Sequence, residues 1–226
     1  MSVHLASADV FELLHHYGIR TTPRFYASTI EDIVTFARGG RVLLRADDGE
    51  GTPIVVEAEG EEQVRRAYER LWPFAAQREP ALLLALRDPL EGTHISIHAT
   101  FGGRGEPLLT LSVGKAAGGD VPERTSQACP VGEDEAIAMI ERLRGRQAIV
   151  HGTQGKSMLA HLLVRASRLF VGQDLTEMRL APIVLHGNTY EVVDATMAAR
   201  HSVEVPRELA RRAHDVKGYY KPSGRQ

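Results

Sequence analysis

The stretch THISIHATF (93–101) alternates with a period of two, setting His94, Ser96 and His98 against Ile95, Ile97 and Ala99. Successive side chains of a strand point to opposite faces, so this pattern demands a strand that is buried on one side and polar on the other. Sheets of that kind are antiparallel, with one face packed on the core. Set among helical segments, they make an α+β fold the expectation. The chain has 226 residues, which at roughly 150 residues per domain means one large domain or two small lobes.

The remaining segments fill in that frame. SADVFELLHHY (7–17) has Val10, Leu13, Leu14 and Tyr17 at helical spacing and stops at Gly18. Residues 24–27 form a short strand. Ser28 or Thr29 caps a helix through Arg38, with Glu31 and Asp32 in its first turn, where the helix dipole favours acids. RVLLRA (41–46) and IVVEAE (54–59) read as strands around the turn cluster DDGEGTP (47–53). A charged helix follows at 61–71. Pro73 and Pro80 bracket a lobe boundary, dividing the chain into 1–75, 76–204 and a polar, basic tail at 205–226. Strands are expected at 81–87, 93–101 and 106–114, and the glycine-rich 115–130 reads as irregular. Then come a helix at 133–144, a short strand at 147–152, a long amphipathic helix at 157–170, and an antiparallel strand pair at 177–187 and 189–197.

Composition excludes several functions. Lys and Arg total 27 against 29 Asp and Glu, without the basic excess of a nucleic-acid binder. A single cysteine, Cys129, rules out an intrachain disulfide framework and a cysteine-rich zinc site. No basic n-region with a long apolar h-region opens the chain, and no apolar run approaches the ~18 residues needed to span a bilayer. A cytoplasmic protein without nucleic-acid or membrane partners is expected.

Among local motifs, Gly152-Thr153-Gln154-Gly155-Lys156-Ser157 is the sharpest. Between a strand and a helix, its backbone N–H groups would cradle a phosphate and Lys156 would add a point charge. The longer Walker spacing fails, because Val150 stands where a glycine is required. The hexapeptide resembles the shorter GTxGKS/T loop of Mur-type amide-bond ligases, and the plainer alternative is a glycine turn entering a helix. His94 and His98 share a strand face but lie about 13 Å apart along it, too far for one metal. Cys129, Ser157 and Ser167 have no nucleophile signature around them.

Four segments, in order, resemble the ATP-grasp lobe of the beta subunits of ADP-forming acyl-CoA synthetases. They are HYGIRTTPRFYASTIEDIVTFARGGRVLLR (16–45), VGEDEAIAMIERLRG (131–145) with IVHGTQG (149–155), SMLAHLLVRASRLF (157–170) and TEMRLAPIVLHGNTYEVVDATM (176–197). The resemblance covers residues 9–200 and implies a two-lobed ATP-grasp-like fold. It further implies ATP or ADP as ligand and a CoA-binding, alpha-like subunit as partner. A homo-oligomer is the other assembly to consider.

The resemblance also predicts which residues carry the chemistry. The phosphate-contacting lysine of the family falls on Arg45, which keeps charge but not compact ammonium geometry. Its "GxRG" loop falls on Gly152 to Gly155, with Gln154 in place of arginine and Lys156 just beyond. Its metal motif "ExDxNP" keeps Glu177 and Pro182 but carries Arg179 for the Asp and Ala181 for the Asn. A cation in a magnesium slot opposes a hard ion that needs oxygen ligands. Gly18, Gly152, Pro182 and Asp194, the framework positions, are kept. The expected protein is therefore a catalytically degenerate nucleotide- or anion-binding or scaffold subunit, with Arg45, Gly152, Gly155, Lys156, Glu177 and Arg179 lining its site, no catalytic residue and no Mg²⁺. The alternative is an active acyl-CoA synthetase subunit in which Asp47, Asp48, Glu177 and Asp194 hold the metal.

Overall fold

The computed structural model describes residues 3–5, 7–47, 53–77, 83–87, 91–114, 123–144, 146–149, 152–201 and 203. The chain divides into two compact units, Thr22–Glu91 and Met1–Thr21 with Gly92–Gln226. Both are antiparallel sheets backed by helices, so the α+β class holds.

The larger unit holds β1 (Val3–His4), α1 (Ser7–His16), β6 (Thr93–Phe101), β7 (Pro107–Val113), β8 (Glu123–Ala128), α4 (Glu133–Glu141), α5 (Arg146–Ile149), α6 (Gly152–Gly172), β9 (Leu175–His186), β10 (Thr189–Val192) and β11 (Ala195–Ala199), and all but the edge strands β1 and β8 contribute to one core. Strand order is β1-β11-β9-β6-β7-β8, with β10 also on β9. The inward residues of β6 and β7, Ile95, Ile97, Ala99, Leu109, Leu111 and Val113, are buried. Against them lies the apolar stripe of α6, Leu159, Leu162, Leu163, Ala166, Leu169 and Phe170, at the spacing that keeps one helix face inward. The start of α4 carries Glu133, Asp134 and Glu135 at its positive dipole end, and the Gly132 N–H donates to Glu135 Oε2 at 2.8 Å.

The smaller unit holds β2 (Arg24–Ala27), α2 (Ile30–Ala37), β3 (Arg41–Asp47), β4 (Pro53–Glu59), α3 (Gly60–Ala75) and β5 (Leu83–Arg87), in the order β2-β5-β3-β4. Thr29 caps α2 by accepting from the Asp32 N–H at 3.2 Å. Ile33, Ala37, Val64, Ala67 and Leu71 pack onto Val42, Leu44 and Ala85.

Three sequence expectations are corrected. The unit boundary is not at 75/76: β5 inserts between β2 and β3 and pairs with both, and α1 joins the core of the larger unit. Periodicity shows that a strand is buried, not which sheet buries it. The expected strand at 147–152 is replaced by the short helix α5, and Gly152 is already the first residue of α6. A short apolar run reads equally as strand or buried helix, and here Ile149 joins Leu143 in the helical part of the core. The irregular 115–130 contains β8, a polar edge strand paired to β7. Residues 205–226 lie outside the described residues.

Candidate functional site

The polar face that the alternation of β6 demands is continuous across the larger sheet. Register aligns Ser126, Thr110, His98, Arg179 and Thr196 in one row across β8, β7, β6, β9 and β11. The neighbouring row runs Arg124, Ser112, Ser96. The Thr110 and Ser126 hydroxyls of the first row hydrogen-bond at 2.8 Å, and its His98 Nε2 lies 3.3 Å from Oε1 of Glu177, two residues before Arg179 on β9.

Beside Ser96 the ladder breaks. Ile95 pairs with Ile183 and Ile97 with Leu180, so Ala181 and Pro182 together oppose the single residue Ser96. This is a β-bulge, which bends its strand and re-aims its side chains. It also lets a proline sit in a central strand, because the missing N–H falls at a break in the ladder. On the other edge of β9 the bulge is held by backbone bonds, with the Ala181 N–H donating to the Asp194 carbonyl and the Val193 N–H to the Pro182 carbonyl, both at 3.0 Å.

A cavity of about 390 Å³ opens at the bulge. Its walls are His94, Ile95 and Ser96 from β6, Ser112 to Gly114 at the end of β7, Arg124 from β8, and Arg179, Ala181 and Pro182 from β9. Among the described residues, two guanidinium groups, one imidazole and two hydroxyls line it, and no carboxylate does. Among the described residues neither Arg124 nor Arg179 has an ion-pair partner, whereas Arg20, Arg41, Arg65, Arg66 and Arg200 all do. The nearest acid in sequence to Arg179, Glu177, meets His98 instead.

The expected site residues part company here. Arg179 is in the cavity wall, and Glu177 stands beside it on the same exposed strand face. Lys156 lies on α6, the helix that packs against the apolar face of the sheet, and its Nζ donates to Glu141 Oε1 at 2.9 Å. Gly152 takes a positive φ of 69° at the helix start, and Gly155 is buried within the helix. The GTQGKS hexapeptide is thus helix from its first residue rather than a loop, and Gln154 accepts from the Asn188 amide at 2.9 Å. Arg45 belongs to the smaller unit, half-buried on β3 between Val55 and Leu84.

A hard divalent cation does not fit the donor set of the described residues, which offers arginine, imidazole and hydroxyl groups but no carboxylate. Among the described residues no group of three or more His, Cys, Asp or Glu is placed to hold a metal ion. Of the acids considered as substitute ligands, Asp194 accepts from the Ala195 N–H at 2.9 Å, and Asp48 lies outside the described residues. His94, Ser96, Ser112 and Arg124 were not singled out as a site by the sequence. For His94 and Ser96 the polar alternation was the available signal. Arg124 sits in a polar strand that alternates too weakly to announce itself.

No protein-family model matches the chain, and no curated protein matches it significantly. Solved structures do share the fold. The dinucleotide-forming acetyl-coenzyme A synthetase 1 of Ca. Korarchaeum cryptofilum, in complex with coenzyme A and Ca-AMPCP, is similar with a TM-score of 0.69 at 22% identity, over 88% of this chain and 93% of that one. The same protein with coenzyme A and Mg-AMPPCP gives 0.66 at 21% identity, over 87% and 93%. PH1788 from Pyrococcus horikoshii Ot3 gives 0.73 at 16% identity, over 88% and 92%. ATP citrate lyase from Methanothrix soehngenii, with citrate and coenzyme A, gives 0.61 at 11% identity, over 100% of this chain but 57% of the lyase chain. Among the described residues no helix is long and apolar enough to cross a membrane.

Proposed function

We propose that this chain is an ATP-grasp-like subunit of the acyl-CoA synthetase beta type that binds a nucleotide or related anion without catalysing metal-dependent phosphoryl transfer. One observation carries the reading. Arg179, at the position where the resembling family places a metal-binding Asp, lines a cavity whose described residues include a second arginine and no carboxylate. Phosphoryl transfer is mostly positioning plus neutralisation of charge by lysine and Mg²⁺. Among the described residues the cavity wall holds neither a lysine nor a carboxylate for the ion, but it can hold an anion by charge-assisted hydrogen bonds. The fold supports the nucleotide part, since the similar Korarchaeum protein is described in complex with AMPCP and AMPPCP. A CoA-binding, alpha-like subunit is the partner this reading calls for.

Thermal melting with ATP or ADP, with and without Mg²⁺, tests it. Ligand at 100 times its dissociation constant adds about 2.7 kcal/mol of stability. A shift with nucleotide alone, not enhanced by Mg²⁺, is expected. A shift that requires Mg²⁺ overturns the reading and restores the active-enzyme alternative. Copurification from native cells checks the partner.

A further inference from the structure

We infer that Arg124, Arg179, His94, Ser96 and Ser112 form a metal-free subsite for a tetrahedral phosphate oxyanion, either free or as the terminal group of a larger molecule. The inference deepens the proposed function and rests on its anion-binding part. Arg124 and Arg179 come from β8 and β9, which flank β7 and β6 in the sheet. At roughly 4.8 Å per strand spacing the two backbones stand about 14 Å apart. That span is within the combined reach of two extended arginine side chains, so both guanidinium groups can bind one oxyanion. The floor between them is Ser112 and Ser96, registered opposite each other, whose hydroxyls donate upward to further oxygens. His94 adds a ring N–H at the rim.

Charge selects the ligand. The cavity brings together two permanent cations that no acid among the described residues neutralises. A dianion with three or four acceptor oxygens satisfies donors on opposite walls at once. A planar carboxylate presents two oxygens in one plane and suits a single bidentate arginine. Mg²⁺ competes with the site instead of assisting it, because it withdraws charge from the phosphate and finds no carboxylate among the described lining residues.

Inorganic pyrophosphate is the probe, titrated calorimetrically against the full chain at low and high salt, with and without Mg²⁺. Binding is expected without the metal, weakened by Mg²⁺ and by salt. Arg124→Gln and Arg179→Gln should each weaken it by about tenfold or more, as the loss of a hydrogen bond from a charged group does. Both side chains are exposed, so the unliganded melting temperature should stay within error of the parent. Arg65→Gln, on α3 in the other unit, should leave binding unchanged. Pyrophosphate binding that is absent, that needs Mg²⁺, or that survives both cavity substitutions overturns the inference. If ATP binds and the substitutions do not matter, the subsite falls while the nucleotide reading stands. If pyrophosphate binds through both arginines and ATP does not bind, the subsite stands and the nucleotide reading falls.

Discussion

Lys156 Nζ donates to Glu141 Oε1 at 2.9 Å and ties the first turns of α6 to the end of α4. The hydrogen bond, and then the charge, of Lys156 hold the Glu141 carboxyl below its ordinary range. A depressed folded-state value stabilises the fold above the ordinary carboxylate range, and that contribution is lost as pH falls through the folded value. Lys156→Met should therefore return the Glu141 titration, followed by NMR, toward its ordinary midpoint. The same variant should bind nucleotide as the parent does. A large loss of binding would move the site to the α6 terminus.

Ser167 is fully buried in α6, where its Oγ accepts from the Val131 N–H at 2.8 Å and donates to the Val164 carbonyl at 3.3 Å. Ser167→Ala strands the Val131 N–H in the core. Leaving a buried donor unsatisfied costs about 1–3 kcal/mol. Urea denaturation should show that loss with an unchanged m-value.

Gly92 leads into β6 against β9. A Cβ there would lie 1.9 Å from the Leu185 carbonyl oxygen, a backbone atom that cannot rotate away. Gly92→Ala should destabilise the protein by about 1–3 kcal/mol, the usual cost of overpacking. A variant that melts like the parent would show that the β6–β9 entry shifts freely.

Cys129 is half-buried, and desolvation raises its thiol pKa to about 11. The thiolate is the nucleophile, so iodoacetamide labelling should be slow at neutral pH and still accelerating above pH 9. The unfolded thiol ionises lower than the folded one, so unfolding gains a charge that the native state withholds. Stability should then decline as pH rises from the unfolded value toward the folded one. A labelling rate that levels off near pH 8.5 would contradict the burial of this side chain.

Several parts of this molecule were legible in the sequence. The alternation of His94, Ser96 and His98 with Ile95, Ile97 and Ala99 is reproduced strand for strand by β6. Thr29 caps α2, and Gly18 ends α1 with a positive φ of 67°. Each of these depends on neighbours a few positions away, where side-chain periodicity and cap chemistry act directly. Arg179 was legible as a cation in an unusual place, through the motif around Glu177 and Pro182.

What only the tertiary structure decided is which distant groups meet. Sequence could not place β5 between β2 and β3, because burial of a strand does not name its neighbours. Nor could it bring Arg124 and Arg179 to one cavity, since that meeting follows from the order β8-β7-β6-β9 and from the bulge at Ala181 and Pro182. The same packing removed Lys156 from the site by giving it to Glu141 and by running Gly152 to Ser157 into helix. The chain by itself determined an antiparallel sheet with one polar face. The arrangement of strands determined that this face carries an arginine-lined cavity, because the contacts that build it are long-range and no local spacing encodes them.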